Sequence, residues 1–292
     1  MSQKKPNNPN NPNNVPTTGH VWDGIEEYDN PMPRWWLYCF YLCIIWAFVY
    51  AIFYPAWPLV SSATTGLTGW SSRGDVAAEI AAVDEANGPI NARLEAAELT
   101  TIAGDPDLGP YAVSAGAAVF KTFCAQCHGS GAAGAKGYPN LLDDDWLWGG
   151  SVSDIHETVS NGIRNEDYDD ARYSAMPAFG RDGLLEAEQI DAVANYVMSL
   201  SGTPANAEVV SEGAVLYGEN CASCHGAEAL GDRTQGAPNL ADAIWLYGGD
   251  YQTLINTISN ARFGVMPGWG TRLSEAEIRA VTSYVHQLGG GE

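Results

Sequence analysis

Four of the six cysteines fall in two identical spacings, each followed at once by histidine: Cys124-Ala-Gln-Cys127-His128 and Cys221-Ala-Ser-Cys224-His225. Two thiols three positions apart can form thioethers with the two vinyl groups of one haem. A histidine directly after the second thiol is then held beneath the iron as an axial ligand. The pattern therefore predicts two covalently bound haem c groups, on Cys124 and Cys127 and on Cys221 and Cys224, with His128 and His225 on the iron. A sixth ligand comes from a Met-Pro pair about 40–50 residues downstream of each motif, at Met176 and Met266. A thioether is a soft ligand that favours ferrous iron, so His/Met ligation raises the potential and suits electron transfer. No catalytic residue is expected in this chain.

Other uses of the cysteines fit less well. A zinc ribbon sets its Cys pairs about 15–20 residues apart, whereas Cys127 and Cys221 are separated by 94. A thioredoxin-type pair gives no reason for the following histidine or for its duplication. Disulfides leave the histidine and methionine coincidences unexplained.

The elements that must position these groups come from an internal repeat. Phe120–Cys124 aligns with Tyr217–Cys221, Pro139-Asn-Leu with Pro238-Asn-Leu, Trp146-Leu-Trp-Gly-Gly with Trp245-Leu-Tyr-Gly-Gly, and Met176-Pro with Met266-Pro. The offset drifts from 97 to 99, then to 90 and 88, so loop insertions separate the copies, the largest at Asn165–Ser174. Two domains follow, 111–203 and 208–292, with helical pattern at both ends of each. In the last helix Ser274 and Glu277 form a capping-box signature ahead of Ile278, Val281, Val285 and Leu288 at helical spacing. Gly116 and Gly213 are expected to allow close crossing of a first helix by a last one, near Tyr196 and Tyr284. Pro139 and Pro238 can offer carbonyls to the proximal histidines, and Trp146 and Trp245 are candidates to wall the pockets. His156 reads as a rim histidine rather than a ligand, Met198 as core, and His286 as a charge suited to its helix end.

Residues 35–57 begin with WWLYCFYLCIIWAFVYAIFY, twenty residues without a charge. As a helix this run is about 30 Å long, the thickness of a bilayer's hydrocarbon core. Aromatic residues flank it and Pro55 and Pro58 end it. Lys4, Lys5 and Arg34 precede it, so the positive-inside rule puts residues 1–34 in the cytoplasm and the remainder outside. Cys39 and Cys43 lie on one side of this helix as packing residues. Residues 1–19, rich in Asn and Pro, read as disordered. Residues 58–110 read as a flexible linker (61–74) and a short helical stalk (75–101) broken at Gly88-Pro89.

The 292 residues carry 14 basic and 35 acidic side chains, a net charge of −21. From Arg73 onward there are 11 basic and 31 acidic side chains, so −20 lies beyond the membrane segment. That balance argues against nucleic acid and favours a basic protein partner. From these patterns the chain is an all-α, membrane-anchored dihaem cytochrome: one transmembrane helix followed by two tandem class I-like cytochrome c domains.

The N-terminal residues Thr17–Glu27, then Asn30-Pro31-Met32-Pro33-Arg34-Trp35-Trp36, and Tyr54-Pro55-Ala56-Trp57-Pro58, resemble the signature of the dihaem subunit III of cbb3-type cytochrome c oxidases, the C family of haem–copper oxidases. The resemblance covers essentially residues 17–292. It implies that the chain accepts electrons from a cytochrome c donor and passes them to a monohaem cytochrome subunit. From there they reach the catalytic haem–copper subunit, which reduces O2 to water and moves protons. It implies a bacterial inner membrane with periplasmic haem domains, and a cytochrome bc complex as a further candidate partner. Sequence order favours each methionine serving its own domain's haem. A crossed assignment, Met176 to the second haem and Met266 to the first, stays open. Rival readings are a free-standing membrane-tethered dihaem shuttle and a dihaem peroxidase, the latter requiring an open iron site.

Overall fold

A computed structural model describes residues 16–292. Lys4, Lys5 and the rest of the Asn/Pro-rich tail to residue 15 lie outside the described residues. Residues 17–19, expected to be disordered, instead begin a hairpin of β1 (Thr17–Trp22) and β2 (Ile25–Tyr28). Trp22 pairs with Ile25, and Asp23 and Gly24 turn the chain at φ +50° and +84°. Both turn residues have positive φ, the condition of the tight hairpin turn that matches strand twist, and Asp-Gly meets it.

Helix α1 (Arg34–Phe53) has no buried residue, and its mean hydropathy is 2.0. A twenty-residue apolar helix that no described residue buries needs an apolar solvent, which a bilayer supplies. Its end is closed by the segment expected to be a flexible linker. The N–H of Leu67 donates to the carbonyl of Ile52 at 3.0 Å, and Thr68 Oγ1 donates to that of Phe53 at 2.6 Å. These bonds satisfy last-turn carbonyls that have no partner within the helix.

Helix α2 (Ser72–Ala96) runs through Pro89, so the break expected at Gly88-Pro89 is absent. Proline removes one helical bond and crowds the turn before it. Here tertiary packing holds the following turn, because Leu94 is fully buried with Ile90 against it. Residues to Glu85 and from Ala86 onward form two separate compact units.

The second unit contains α3 (Leu99–Ile102), α4 (Leu108–Val119), a π-turn at Phe120–Cys124, α5 (Ala125–His128), α6 (Val152–Asn161) and α7 (Ala187–Ser201). The second repeat supplies α8 (Val210–Asn220), α9 (Ala222–His225), α10 (Tyr251–Asn260) and α11 (Glu275–His286). The expected capping box opens α11: the N–H of Glu277 donates to Ser274 Oγ at 3.3 Å, and the N–H of Ser274 donates to Glu277 Oε2 at 2.8 Å.

The packed cores do not coincide with the sequence repeats. One core joins Val119 and Phe120 of the first repeat to Ile278, Val281 and Val285 of α11. The other joins Tyr217 of α8 to Ile190, Val193 and Val197 of α7. The close helix crossing expected at Gly116 and Gly213 is present, but between copies. A Cβ on Gly116 would lie 2.1 Å from the Ala280 carbonyl oxygen, and one on Gly213 would lie 2.0 Å from that of Ala192. The closing helix of each repeat thus covers the opening helix of the other. The end of α2 joins the first arrangement, with Leu94, Ile102 and Leu108 packed on Ala276 and Ala280.

Candidate haem sites

Each Cys motif sits at the end of an opening helix. Cys124 closes the π-turn, a rare local geometry often found at functional sites. His128 Nδ1 donates to the Pro139 carbonyl at 3.1 Å, and His225 Nδ1 to the Pro238 carbonyl at 3.0 Å. A carbonyl only accepts, so each ring carries its proton on Nδ1 and leaves the Nε2 lone pair free for a metal. Burial lowers the pKa of both histidines, with the carbonyl bond opposing it in part, which keeps the imidazoles neutral as ligation requires. Burial, assisted by the neighbouring Cys127 and Cys224, pushes the Cys124 and Cys221 thiols up to about 11.

The second motif opens onto a cavity of about 600 Å³. Cys221, Cys224, His225 and Met176 all line it. Phe179, Val193, Val197, Leu254 and Ile258 supply apolar walls, with Trp245 beside them. One buried hydroxyl on this wall, Thr257 Oγ1, has no hydrogen-bond partner. Two thiols, a neutral imidazole and a thioether around an apolar cavity fit an iron macrocycle whose edge carries polar groups. Among the described residues no three His, Cys, Asp or Glu side chains gather as a metal cage.

The two methionines lie across the repeats. Met176 belongs to the first repeat but packs on the core of the second motif with Cys221 and Ala222. Met266 belongs to the second repeat but packs on the core of the first motif with Phe123, Cys124 and Trp146. Backbone bonds pin each loop there. The N–H of Ile163 donates to the Met266 carbonyl at 2.9 Å, and that of Met266 returns to the Ile163 carbonyl at 3.0 Å. The N–H of Phe179 donates to the Ile258 carbonyl at 3.1 Å.

The remaining candidates sort simply. Trp245 lines the cavity, while Trp146 packs on the first core and donates its indole N–H to the Gly290 carbonyl at 2.5 Å. His156 Nε2 is 3.1 Å from Glu275 Oε1. Met198 packs on the second core, and Cys39 and Cys43 are exposed on α1. Several neighbours of the sites carry no sequence signal. Trp148 is buried against Gly236 of the other repeat. Arg172 stacks on Trp148 and is ion-paired to Asp154 and Glu157. Arg164 lines the cavity, yet the repeat alignment puts Phe263 at the equivalent position, so duplication does not reveal it.

Comparison with known proteins covers the same parts of the chain. Residues 14–61 match the family described as the N-terminal domain of cytochrome oxidase-cbb3, FixP. Residues 112–197 and 208–285 each match the family of cytochrome c oxidase, cbb3-type, subunit III. The cbb3-type cytochrome c oxidase subunit CcoP of Cereibacter sphaeroides is 61% identical over 277 residues, 95% of this chain and 96% of the relative. Subunit CcoP of Rhodobacter capsulatus is 53% identical over 287 residues, covering 95% and 97%. Subunit FixP of Sinorhizobium medicae is 50% identical over 278 residues, covering 95% and 96%. With the apolar anchor and both Cys-x-x-Cys-His repeats inside these matches, the chain belongs to the subunit III family of cbb3-type cytochrome c oxidases, as the cytochrome c electron-carrier subunit.

Proposed function

We propose that this chain holds two haem c groups in the periplasm and relays electrons from a cytochrome c donor, through the monohaem subunit, to the catalytic haem–copper subunit. The haem irons, when bound, supply one-electron couples. Cys124 and Cys127 hold one group, and Cys221 and Cys224 the other. His128 and Met266 would hold the first iron, and His225 and Met176 the second. The observation that carries this crossed ligand set is the cavity shared by Met176, Cys221, Cys224 and His225.

The carbonyls of Pro139 and Pro238 orient the two imidazoles and hold their Nδ1 protons. The thioethers favour ferrous iron and raise both potentials. Apolar walls such as Val193 and Ile258 keep water from the metal, which further disfavours the more highly charged oxidised form. The acidic charge beyond the anchor attracts a basic donor. Helix α1 crosses the bacterial inner membrane with its N-terminus in the cytoplasm and packs against the catalytic subunit. A cytochrome bc complex is the donor's upstream neighbour in this reading.

Purification in mild detergent, with haem B and copper assayed, tests the assignment. Co-purification of an oxidase is expected, and a chain recovered alone would support a free-standing shuttle instead. Carbon monoxide binding by a c haem of the unsubstituted protein would indicate an open site and favour a peroxidase. In Met176→Ala or Met266→Ala such a site should be created, with a lower potential for that haem.

A further inference from the structure

Arg164 occupies an unusual place. Its backbone is left-handed, at φ +51°. Its Nε donates to the carbonyl of Gly264 at 2.7 Å, and its Nη1 donates to the carbonyl of Ser174 at 2.9 Å. Gly264 and Ser174 are equivalent positions, each two residues before a Met-Pro pair. One side chain therefore fastens both methionine loops. Its guanidinium also lies over the ring of Phe263, 5.7 Å from the centroid. Phe263 is its own counterpart in the other repeat, so this arginine has no duplicate.

Among the described residues no carboxylate forms an ion pair with Arg164. Its neighbours of note are Tyr173 and Tyr247, and burial pulls its pKa below the ordinary arginine value. A guanidinium has five N–H donors, and the two carbonyls engage one on Nε and one on Nη1. A half-buried arginine left in that state carries a desolvation cost that an anion would relieve. The same side chain lines the cavity shared by Cys221, Cys224, His225 and Met176.

We infer that Arg164 is a positioning residue shared by both metal-ligand loops, and that its remaining donors receive a carboxylate side arm of the haem held by Cys221 and Cys224. The inference rests on the proposed haem reading. Two other cations line the cavity. Arg262 donates to Asn256 Oδ1 at 2.8 Å and lies over Tyr247, and Lys136 sits in the field of Asp250. Asp143 and Asp145 are the carboxylates on the cavity wall.

A cation beside the haem disfavours oxidation of the iron and holds the carboxylate ionised. The test uses Arg164→Gln and Arg164→Lys in the full chain within the assembled oxidase. Covalent haem, the sulfur-to-iron charge-transfer absorption and potentiometric titration across neutral pH are measured. Arg164→Gln should retain both haems, lower the potential of one c haem and make that potential fall more steeply with rising pH. Arg164→Lys should keep the profile of the unsubstituted protein. An Arg164→Gln titration indistinguishable from the unsubstituted one, or the same change produced by Arg262→Gln alone, overturns the inference. If Arg164→Gln fails to accumulate, Arg164→Lys decides: a steepened profile despite the retained charge overturns it. Absence of covalent haem in the unsubstituted chain would instead remove the underlying haem reading.

Discussion

Gly116 in the first repeat lies directly under Ala280 in the last helix of the second, so close that a Cβ would sit 2.1 Å from the Ala280 carbonyl oxygen and 2.7 Å from Tyr284 Cβ. The obstructing atom is backbone and cannot rotate away. Gly116→Ala should therefore cost about 3 kcal/mol, at the upper end for overpacking. A Cβ on Gly218 in α8 would meet no atom within 4 Å, so Gly218→Ala should stabilise by about 0.5–1 kcal/mol through reduced chain entropy. Chemical denaturation of the two variants checks the pair, and equal effects would contradict the crossing.

The exchange of closing helices makes a second prediction about distance in sequence. Ser274→Ala removes the cap of α11 and should cost about 1 kcal/mol. That helix covers the core containing Cys124, so the haem centre that loosens should be the one on the first motif, about 150 residues upstream. Separate potentiometric titration of the two haems in this variant shows which is affected.

Asp145 gives a pH prediction. Burial, then the negative charges of Asp242 and Asp143, raise its carboxyl from 3.8 to about 6, with Arg233 opposing and Asp144 adding to the rise. The folded chain thus binds this proton more tightly than the unfolded chain, so this site's contribution to stability falls as pH rises from about 4 to about 6. Asp145→Asn should raise the melting temperature at neutral pH. The gain should vanish below about pH 4, where both states are protonated. A gain that is equally large in acid would show that the charge is not its source.

The acidic excess predicts salt dependence. With 31 acidic and 11 basic side chains from Arg73 onward, electron delivery from a basic cytochrome c should slow as ionic strength rises through the range where the Debye length shrinks to about 8 Å. Stopped-flow reduction at several salt concentrations measures it. Rates independent of salt would place donor recognition on apolar contacts.

Much of the site is written in local spacing. The two Cys-x-x-Cys-His motifs, the Met-Pro pairs, the carbonyls of Pro139 and Pro238 and the capping box of α11 each depend on residues close in the chain, and each is readable there. The pairing of helices is not, because a repeat gives both closing helices the same apolar pattern. Gly116 lies under a closing helix as its sequence suggests, yet nothing in the spacing says that Tyr284 rather than Tyr196 is its neighbour. Pro89 misleads for a related reason: local propensity ends the helix, while burial of Leu94 holds its next turn. The Asp23-Gly24 hairpin was readable as turn chemistry, but its strands mix exposed apolar and acidic residues without clean alternation. Arg164 is hidden because its role comes from two loops about 90 residues apart and has no duplicate.

An experimental density map of the assembled oxidase tests the crossed ligand set most directly. The expected result is that Met176 Sγ joins the iron of the haem on Cys221 and Cys224, and Met266 Sγ that of the haem on Cys124 and Cys127. Each methionine ligating the haem of its own repeat would contradict it.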